Sequence, residues 1–573
     1  MNATSQALFK RPNRPARLGA KTARRPPRAL AEPAAVMAGT ALVGVQAMRL
    51  GRWIVDDAAI TYAYTRSIDE GYGPVQQAGA PPVEGYSNPA WLALLVAGRR
   101  LRLFDHGALF GVPDLVWFPK LLALLCVVGM LAAVAAAARA ALPGRAGAVT
   151  LLAGMAMAGN FSLVAWLFSG LENPLYGLAT TVLAAVLVRG VARDDLLDLP
   201  RPRTAVAAGL LALLAALTRP DGVVYAAAYP LTLLLLLRCS HSAGAFRSAA
   251  LSTAAFAVPY AAHLLWRHAE FGRWIPNTAV AKAQRMPGSA AVAHIGELVS
   301  FAGWALVLAA VVCTGLALRR PGPPRRALVA VLVPLSLALA AYGTLERDWM
   351  DLYRFATPVW TLGAFAGSLA AVTVRDRERP RVRVVLTSAL LAGIVLSLAG
   401  QRHRAEEFRA HPTVPMCFIA DRYGRLFNSY ADRLGLPDAV LLLPDLGGTL
   451  LTSRLRLVDL AGLTDPAIAD AYAADDMPRL RTYVFDRVRP TFIHVHTPWS
   501  TVSGLTPPVL TAHGYVPLST QADTGDWVRR RAVPDPGRLT ALQRTTLPAI
   551  THLTHLRTTS PHRSCGPRLT PTP

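Results

Sequence analysis

At 573 residues, 53% of them hydrophobic and only 16% charged, the chain falls below the roughly one-quarter charged content of soluble globular proteins. Its Leu/Ala/Val runs approach the roughly 20 residues needed to cross a bilayer, so a polytopic membrane protein is expected. The formal net charge of +24 does not point to nucleic acid, because the basic residues are scattered in short clusters between apolar runs.

In chain order, residues 1–28 hold eight Lys or Arg and no acid, which reads as a disordered basic tail kept in the cytoplasm. No small-residue cleavage site follows the next apolar run, so a signal peptide is not expected. Eleven apolar runs then follow, at about 30–50, 114–138, 146–168, 173–189, 204–217, 222–237, 248–266, 291–318, 327–345, 355–374 and 384–400. With the N-terminus inside, "RRPGPPRR", "RDRERPRVR" and the other short Arg-rich connections all fall on the cytoplasmic side, as basic loops should. The outer connections mix acids, Arg and aromatics: "WIVDD", "SGLENP", "TRPDG", "EFGRWIPN" and "LERDWMDLYRF". Residues 92–112, interrupted by four charges, read as a helix lying on the outer surface with Trp91 and Phe104 at the lipid interface.

Beyond residue 400 the periodicity changes. "DRYGRLFNSYADRLG" and "DMPRLRTYVFDRVRP" read as helices, and "AVLLLPD", "LRLVDL", "FIHVH" and "YVPLS" as short strands. The expected architecture is therefore a membrane all-α region at 29–400 of about eleven transmembrane helices. A small external C-terminal α/β domain at 412–533 follows, then a disordered tail at 534–573. Cys126, Cys239, Cys313, Cys417 and Cys565 show no CxxC pair or metal-ligand spacing, so neither a disulfide framework nor a zinc site is expected.

The sharpest local feature is the acid pair Asp56–Asp57 directly behind the first span, where burial in hydrocarbon would be costly. A carboxylate there can serve as general base toward a hydroxyl while cations hold a phosphate leaving group. The outward cations are Arg219, Arg273, Lys282 and Arg354; the alternatives are that Arg219 caps a helix and Lys282 snorkels to the interface. Glu172 either orients a ligand or starts a helix. His494 and His496 alternate on a strand and face one way, but two His without a third ligand read as structural.

The stretch "DDAAITYAYTRSIDEGYGPVQQAGAPPVEGYSNPAW" resembles the first outer loop of bacterial GT-C membrane glycosyltransferases, matching at Asp56, Asp57, Tyr64, Arg66, Gly71, Gly73, Glu84, Gly85, Tyr86, Asn88, Pro89 and Trp91. "SGLENPLY", "TRPDG", "FGRWIPNTAVAK", "RDWMDLYRF" and "DLAGLTDPAIA" resemble further segments of that group, in the same order. The look is nearest to actinobacterial arabinofuranosyltransferases of the cell envelope. The resemblance implies a GT-C fold and sugar transfer, by inversion, from a polyprenyl-phosphate donor to an envelope glycan or glycolipid on the outer face of the cytoplasmic membrane. It implies Asp56 as the acid approaching the acceptor, with Asp57 supporting it or binding a cation. It further implies donor phosphate on Arg219, Arg273, Lys282 and Arg354, and Glu84, Tyr86 and Glu172 orienting acceptor or loop. No cofactor is called for; a divalent cation, and its ligands, are left open. The alternative from another class is a transporter or lipid-linked sugar flippase, for which intramembrane acids and an internal repeat are wanting.

Overall fold

The computed structural model describes residues 28–192, 199–236, 242–282, 290–521, 524–563, 565–566 and 569. The basic tail expected at 1–28 lies outside them but for its last residue. Among the described residues, six helices are long and apolar enough to cross a membrane: Asp114–Ala141, Asn173–Ala192, Gly244–Phe271, Pro323–Thr344, Arg354–Arg377 and Pro380–Ala410. Two further expected spans are bent pairs, Ala146–Gly159 with Phe161–Leu167 at 83° and Ala291–Ala302 with Trp304–Arg319 at 99°. Length and composition thus support six to eight spans, fewer than the eleven expected. The remaining runs are nevertheless helical, as Arg28–Met48, Pro202–Thr218, and Pro220–Ala227 continuing into Ala228–Leu236.

Small residues let these helices approach closely, which matters where lipid leaves no hydrophobic driving force between helices. Helix Arg28–Met48 packs on Ala146–Gly159. At their crossing, a Cβ on Gly154 would lie 2.6 Å from the Cα of Gly39. Any larger side chain would push the pair apart.

Helix Pro89–Arg100 is short, and its surroundings correct the expectation of a surface-lying element. Trp91 and Phe104 are fully buried. Trp91 donates from its indole to Gly170 O at 3.1 Å, and Phe104 packs edge-on against Tyr62 at 4.9 Å between ring centres. The interruption that ruled out a span is an ion cluster instead: Arg66 and Arg99 both pair with Asp105, and Arg99 reaches Asp69 and Glu70 as well. Charges satisfied among themselves can be partly buried at modest cost.

The C-terminal region carries a five-stranded sheet in spatial order Arg456–Asp459, Val440–Leu443, Phe492–Val495, Thr524–Arg529, Tyr515–Gln521. The first three strands run parallel and the last two add antiparallel. All four expected strands are present, and Thr524–Arg529 joins them. The chain after this sheet departs from the expected disorder. Pro536–Thr559 is a helix, started by Asp535, which accepts the amide hydrogens of Gly537 and Arg538. It buries Leu539 and Leu542 against strand Tyr515–Gln521 and helix Leu426–Leu434. Cys565 is disulfide-bonded to Cys417, 148 residues earlier, which corrects the expectation of unpaired cysteines. Sequence spacing could not show this, because the fold alone brings their Cα atoms to 5.0 Å.

Candidate active site

The segment "WIVDD" is pinned on two sides by backbone hydrogen bonds. Val55 N donates to Ser169 O at 3.1 Å, Asp56 N to Val414 O at 3.0 Å, and Met416 N to Ile54 O at 3.0 Å. The first loop, the "SGLENP" loop and the segment that follows the long helix Pro380–Ala410 therefore meet at one point. Helix Asp56–Asp69 starts there, and its two leading acids project about 100° apart.

They enter different surroundings. Asp56 is buried, and its two oxygens accept the amide hydrogens of Gly447 at 3.1 Å and Gly448 at 2.7 Å. A Cβ on Gly447 would lie 2.0 Å from Asp56 O, so only glycine admits this contact. Asp57 is half-buried and accepts no hydrogen bond among the described residues. Burial pushes its carboxyl up from the usual value, while the cations Lys282 and Arg354 pull it back.

Around Asp57 stands a ring of charge from four of the motif loops. Glu172 accepts from Arg219 at 3.1 Å and from Asn88 Nδ2 at 3.0 Å. Burial raises the Glu172 carboxyl, but Arg219 and Arg354 outweigh it and hold it below the ordinary range. Arg219 also pairs with Asp221 at 2.9 Å, and Asp221 in turn accepts from Tyr176 at 2.9 Å. Arg354 pairs with Asp348 at 2.7 Å. Both guanidinium groups lie over the ring of Phe355, Arg219 at 4.4 Å and Arg354 at 4.8 Å from its centre.

Lys282 differs from both arginines: among the described residues no carboxylate reaches ion-pairing distance of it. Its side chain keeps accessible surface, yet protein crowds it. That crowding pulls its ammonium below the ordinary lysine value, as does Arg354, while Asp57 and Asp348 oppose.

The loop carrying Arg354 is fixed from beneath. Asn173 Nδ2 donates to Arg354 O at 3.0 Å and to Thr357 Oγ1 at 2.8 Å, and Trp166 donates to Leu352 O at 3.1 Å. Leu352 and Tyr353 take positive φ of 62° and 53°, a left-handed turn that the anchors hold in place. A cavity of about 640 Å³ adjoins the ring through Asp348, Arg354 and Phe355 and extends to Arg404, Glu407 and His411. Asp57 and Lys282 do not line it.

The remaining sequence candidates lie elsewhere. Arg273 pairs with Asp470 at 2.8 Å, tying the "EFGRWIPN" loop to helix Pro466–Ala473. Glu84 is held by Arg267 at 2.6 and 3.1 Å, and Tyr86 packs edge-on against Tyr64. These three are braces between segments. Asn88, a motif match in the sequence, stands in the ring through Glu172. Asp221 and Asp348 stand there too but were not singled out from sequence, although each sits inside a quoted motif. An acid next to an Arg in the same short motif was the available signal. Arg267 carried none, being inside an apolar helix.

No protein-family model matches this sequence, and no curated protein does. The fold does have solved counterparts. ArnT from Cupriavidus metallidurans in the apo state aligns over 88% of this chain and 100% of its own, with TM-score 0.56 and 16% identity. The same protein bound to undecaprenyl phosphate aligns over 89% and 99%, with TM-score 0.54 and 15% identity. The Archaeoglobus fulgidus oligosaccharyltransferase aligns over 82% and 69%, with TM-score 0.47 and 12% identity. The chain has the fold of ArnT.

Proposed function

We propose that the protein is a GT-C glycosyltransferase. It moves a sugar from a polyprenyl-phosphate donor to a cell-envelope glycan or glycolipid on the outer face of the cytoplasmic membrane. The observation that carries the reading is the contrast at the acid pair: each oxygen of the buried Asp56 accepts a glycine amide, whereas Asp57 faces Lys282 and Arg354 and accepts no hydrogen bond among the described residues. Asp57 is accordingly the general base on the acceptor hydroxyl, and Asp56 is the anchor that fixes the start of its helix. This reverses the assignment that the motif resemblance implies.

In the transfer, Asp57 takes the acceptor proton as the acceptor oxygen attacks the anomeric carbon from the face opposite the lipid phosphate. The bond from that carbon to phosphate breaks, and configuration inverts. Lys282 and Arg354 stabilise the negative charge that grows on the departing phosphate. Lys282 bears on phosphate directly, since no carboxylate among the described residues is within ion-pairing distance of it. Arg219 acts through Glu172 and Asp221, shaping the ring. The fold shared with ArnT, one structure of which holds undecaprenyl phosphate, supports a lipid-phosphate donor. The Cys417–Cys565 disulfide supports an outward C-terminal region, because such bonds persist in oxidising compartments.

The deciding experiment incubates purified protein with synthetic polyprenyl-phosphate sugars and candidate envelope acceptors, pentofuranosyl donors first, and determines product and anomeric configuration. Retention of configuration, or no transfer with any donor, would overturn the reading. Orientation is checked separately: a reporter at residue 323 should be cytoplasmic and one after residue 405 external. Both on one side would overturn the topology.

A further inference from the structure

A second cluster gathers at the carboxyl ends of two adjacent parallel strands, Val440–Leu443 and Phe492–Val495. Open α/β sheets commonly build their sites at such ends. Asp445 follows the first strand, and His494 and His496 stand two apart at the end of the second. The three bring ligand atoms to within 4.8 Å of one another.

The hydrogen bonds around these imidazoles decide where their protons sit. His494 is fully buried, and its Nδ1 meets the carboxylate of Asp526 at 2.7 Å. A carboxylate oxygen only accepts, so the proton is on Nδ1 and the lone pair is on Nε2. That Nε2 is buried and has no partner among the described residues. His496 repeats the pattern, with Nδ1 2.8 Å from the carbonyl oxygen of Thr497. A carbonyl also only accepts, so Nδ1 again carries the proton. The Nε2 of a neutral His496 would then set its lone pair against Asp445 Oδ2, 2.9 Å away. Two acceptors at that distance require something between them: either one further proton, held by His496 or Asp445, or a metal ion among all three residues. Only the second also satisfies His494 Nε2.

We propose that Asp445, His494 and His496 form a binding site for a divalent transition metal, with zinc as the expected occupant. Two imidazole nitrogens and one carboxylate oxygen are a donor set suited to zinc, and a fourth position is left for water or another ligand. Asp526 on one imidazole and the Thr497 carbonyl on the other are the outer partners that orient metal-binding histidines. Asp445 stands two residues before Gly447, whose amide, with that of Gly448, holds Asp56. A metal here would therefore stiffen the loop that anchors the first catalytic-loop acid. The proposal does not depend on the transferase reading.

The test uses the full-length protein in detergent, stripped with chelator, dialysed against buffered zinc and assayed for metal by mass spectrometry. About one zinc per chain is expected, and cobalt in its place should give visible d–d absorption. His494 is buried and its loss endangers the fold, so the half-buried His496→Gln and Asp445→Asn carry the test. Each should weaken zinc at least tenfold with unchanged melting temperature of the stripped protein. Bound zinc should also slow hydrogen exchange at Gly447 and Gly448. Less than a tenth of a zinc per reloaded chain would overturn the site and assign the further proton to His496 or Asp445. Undiminished zinc in folded His496→Gln and Asp445→Asn would place the metal elsewhere and overturn it equally.

Discussion

The ring around Asp57 and the hub around Asp526 are both clusters of charge within the fold, but they are completed differently. Asp526 gives its oxygens to Arg422 at 2.9 Å, His494 at 2.7 Å and Tyr430 at 3.1 Å. These partners and burial set its carboxyl against each other, and the partners win, holding it far below the ordinary range. In the ring, Glu172, Arg219 and Arg354 are paired in the same thorough way, yet Asp57 and Lys282 are left over. Asp57 and the exposed Lys282 act on each other through space without an ion pair among the described residues, so both stay open to a group from outside the chain. The hub holds the sheet region together; the ring holds itself together and, among the described residues, leaves two groups without a close partner, the two that the proposed transfer uses.

The largest expected effect separates the two acids. Asp57→Asn keeps size and removes the base, so turnover with saturating donor should fall about 10²–10⁴-fold with little change in melting temperature. Asp56→Asn should instead lower thermal stability, because its amide nitrogen would oppose one of the two amides of Gly447 and Gly448, which donate to different oxygens of Asp56. If Asp56→Asn is the inactive, stable variant, the contrast fails.

Next comes the paired cation against the unpaired one. Arg219→Ala strands Glu172 and Asp221 and should cost about 3–5 kcal/mol of stability, as measured by denaturant or thermal unfolding. Lys282→Ala should leave stability near that of the parent and weaken donor binding about ten- to a hundredfold, the worth of one charge-assisted contact. Equal destabilisation by both would show that Lys282 has a structural partner after all.

The smallest effect is a pH dependence in the sheet region. Burial pushes Asp459 up to about 7, against the amide hydrogens of Thr464 and Ala461 that it accepts. Its folded pKa lies above its unfolded one, near 4, so its stabilising contribution is fully present below about pH 4 and is lost as pH rises toward 7. Asp526 has the opposite sign: its contribution is present above about pH 4 and is lost on acidification. Asp459→Asn should therefore flatten unfolding free energy between pH 4 and 7, and an unchanged slope there would assign the dependence to another group.

Much of this was legible in sequence because it rests on local rules. Apolar runs became helices since a bilayer-length segment must satisfy its own backbone, and alternating strands became strands since pleating puts every second side chain on one face. Arg219, Lys282, Arg354 and Glu172 could be named from motifs that crowd charge beside apolar runs. Which acid of the pair was free could not. Asp56 and Asp57 are chemically identical, and their difference is made by Gly447 and Gly448, some 390 residues away, whose amides claim one carboxylate and not the other. The third ligand beside His494 and His496, the Cys417–Cys565 bond and the fixing of Pro536–Thr559 are equally non-local: Asp445, Cys565 and that helix acquire their partners only when the chain folds back. Sequence by itself determined where charge could not be buried alone; the tertiary structure decided which charges found partners, because pairing depends on distance in space and not along the chain.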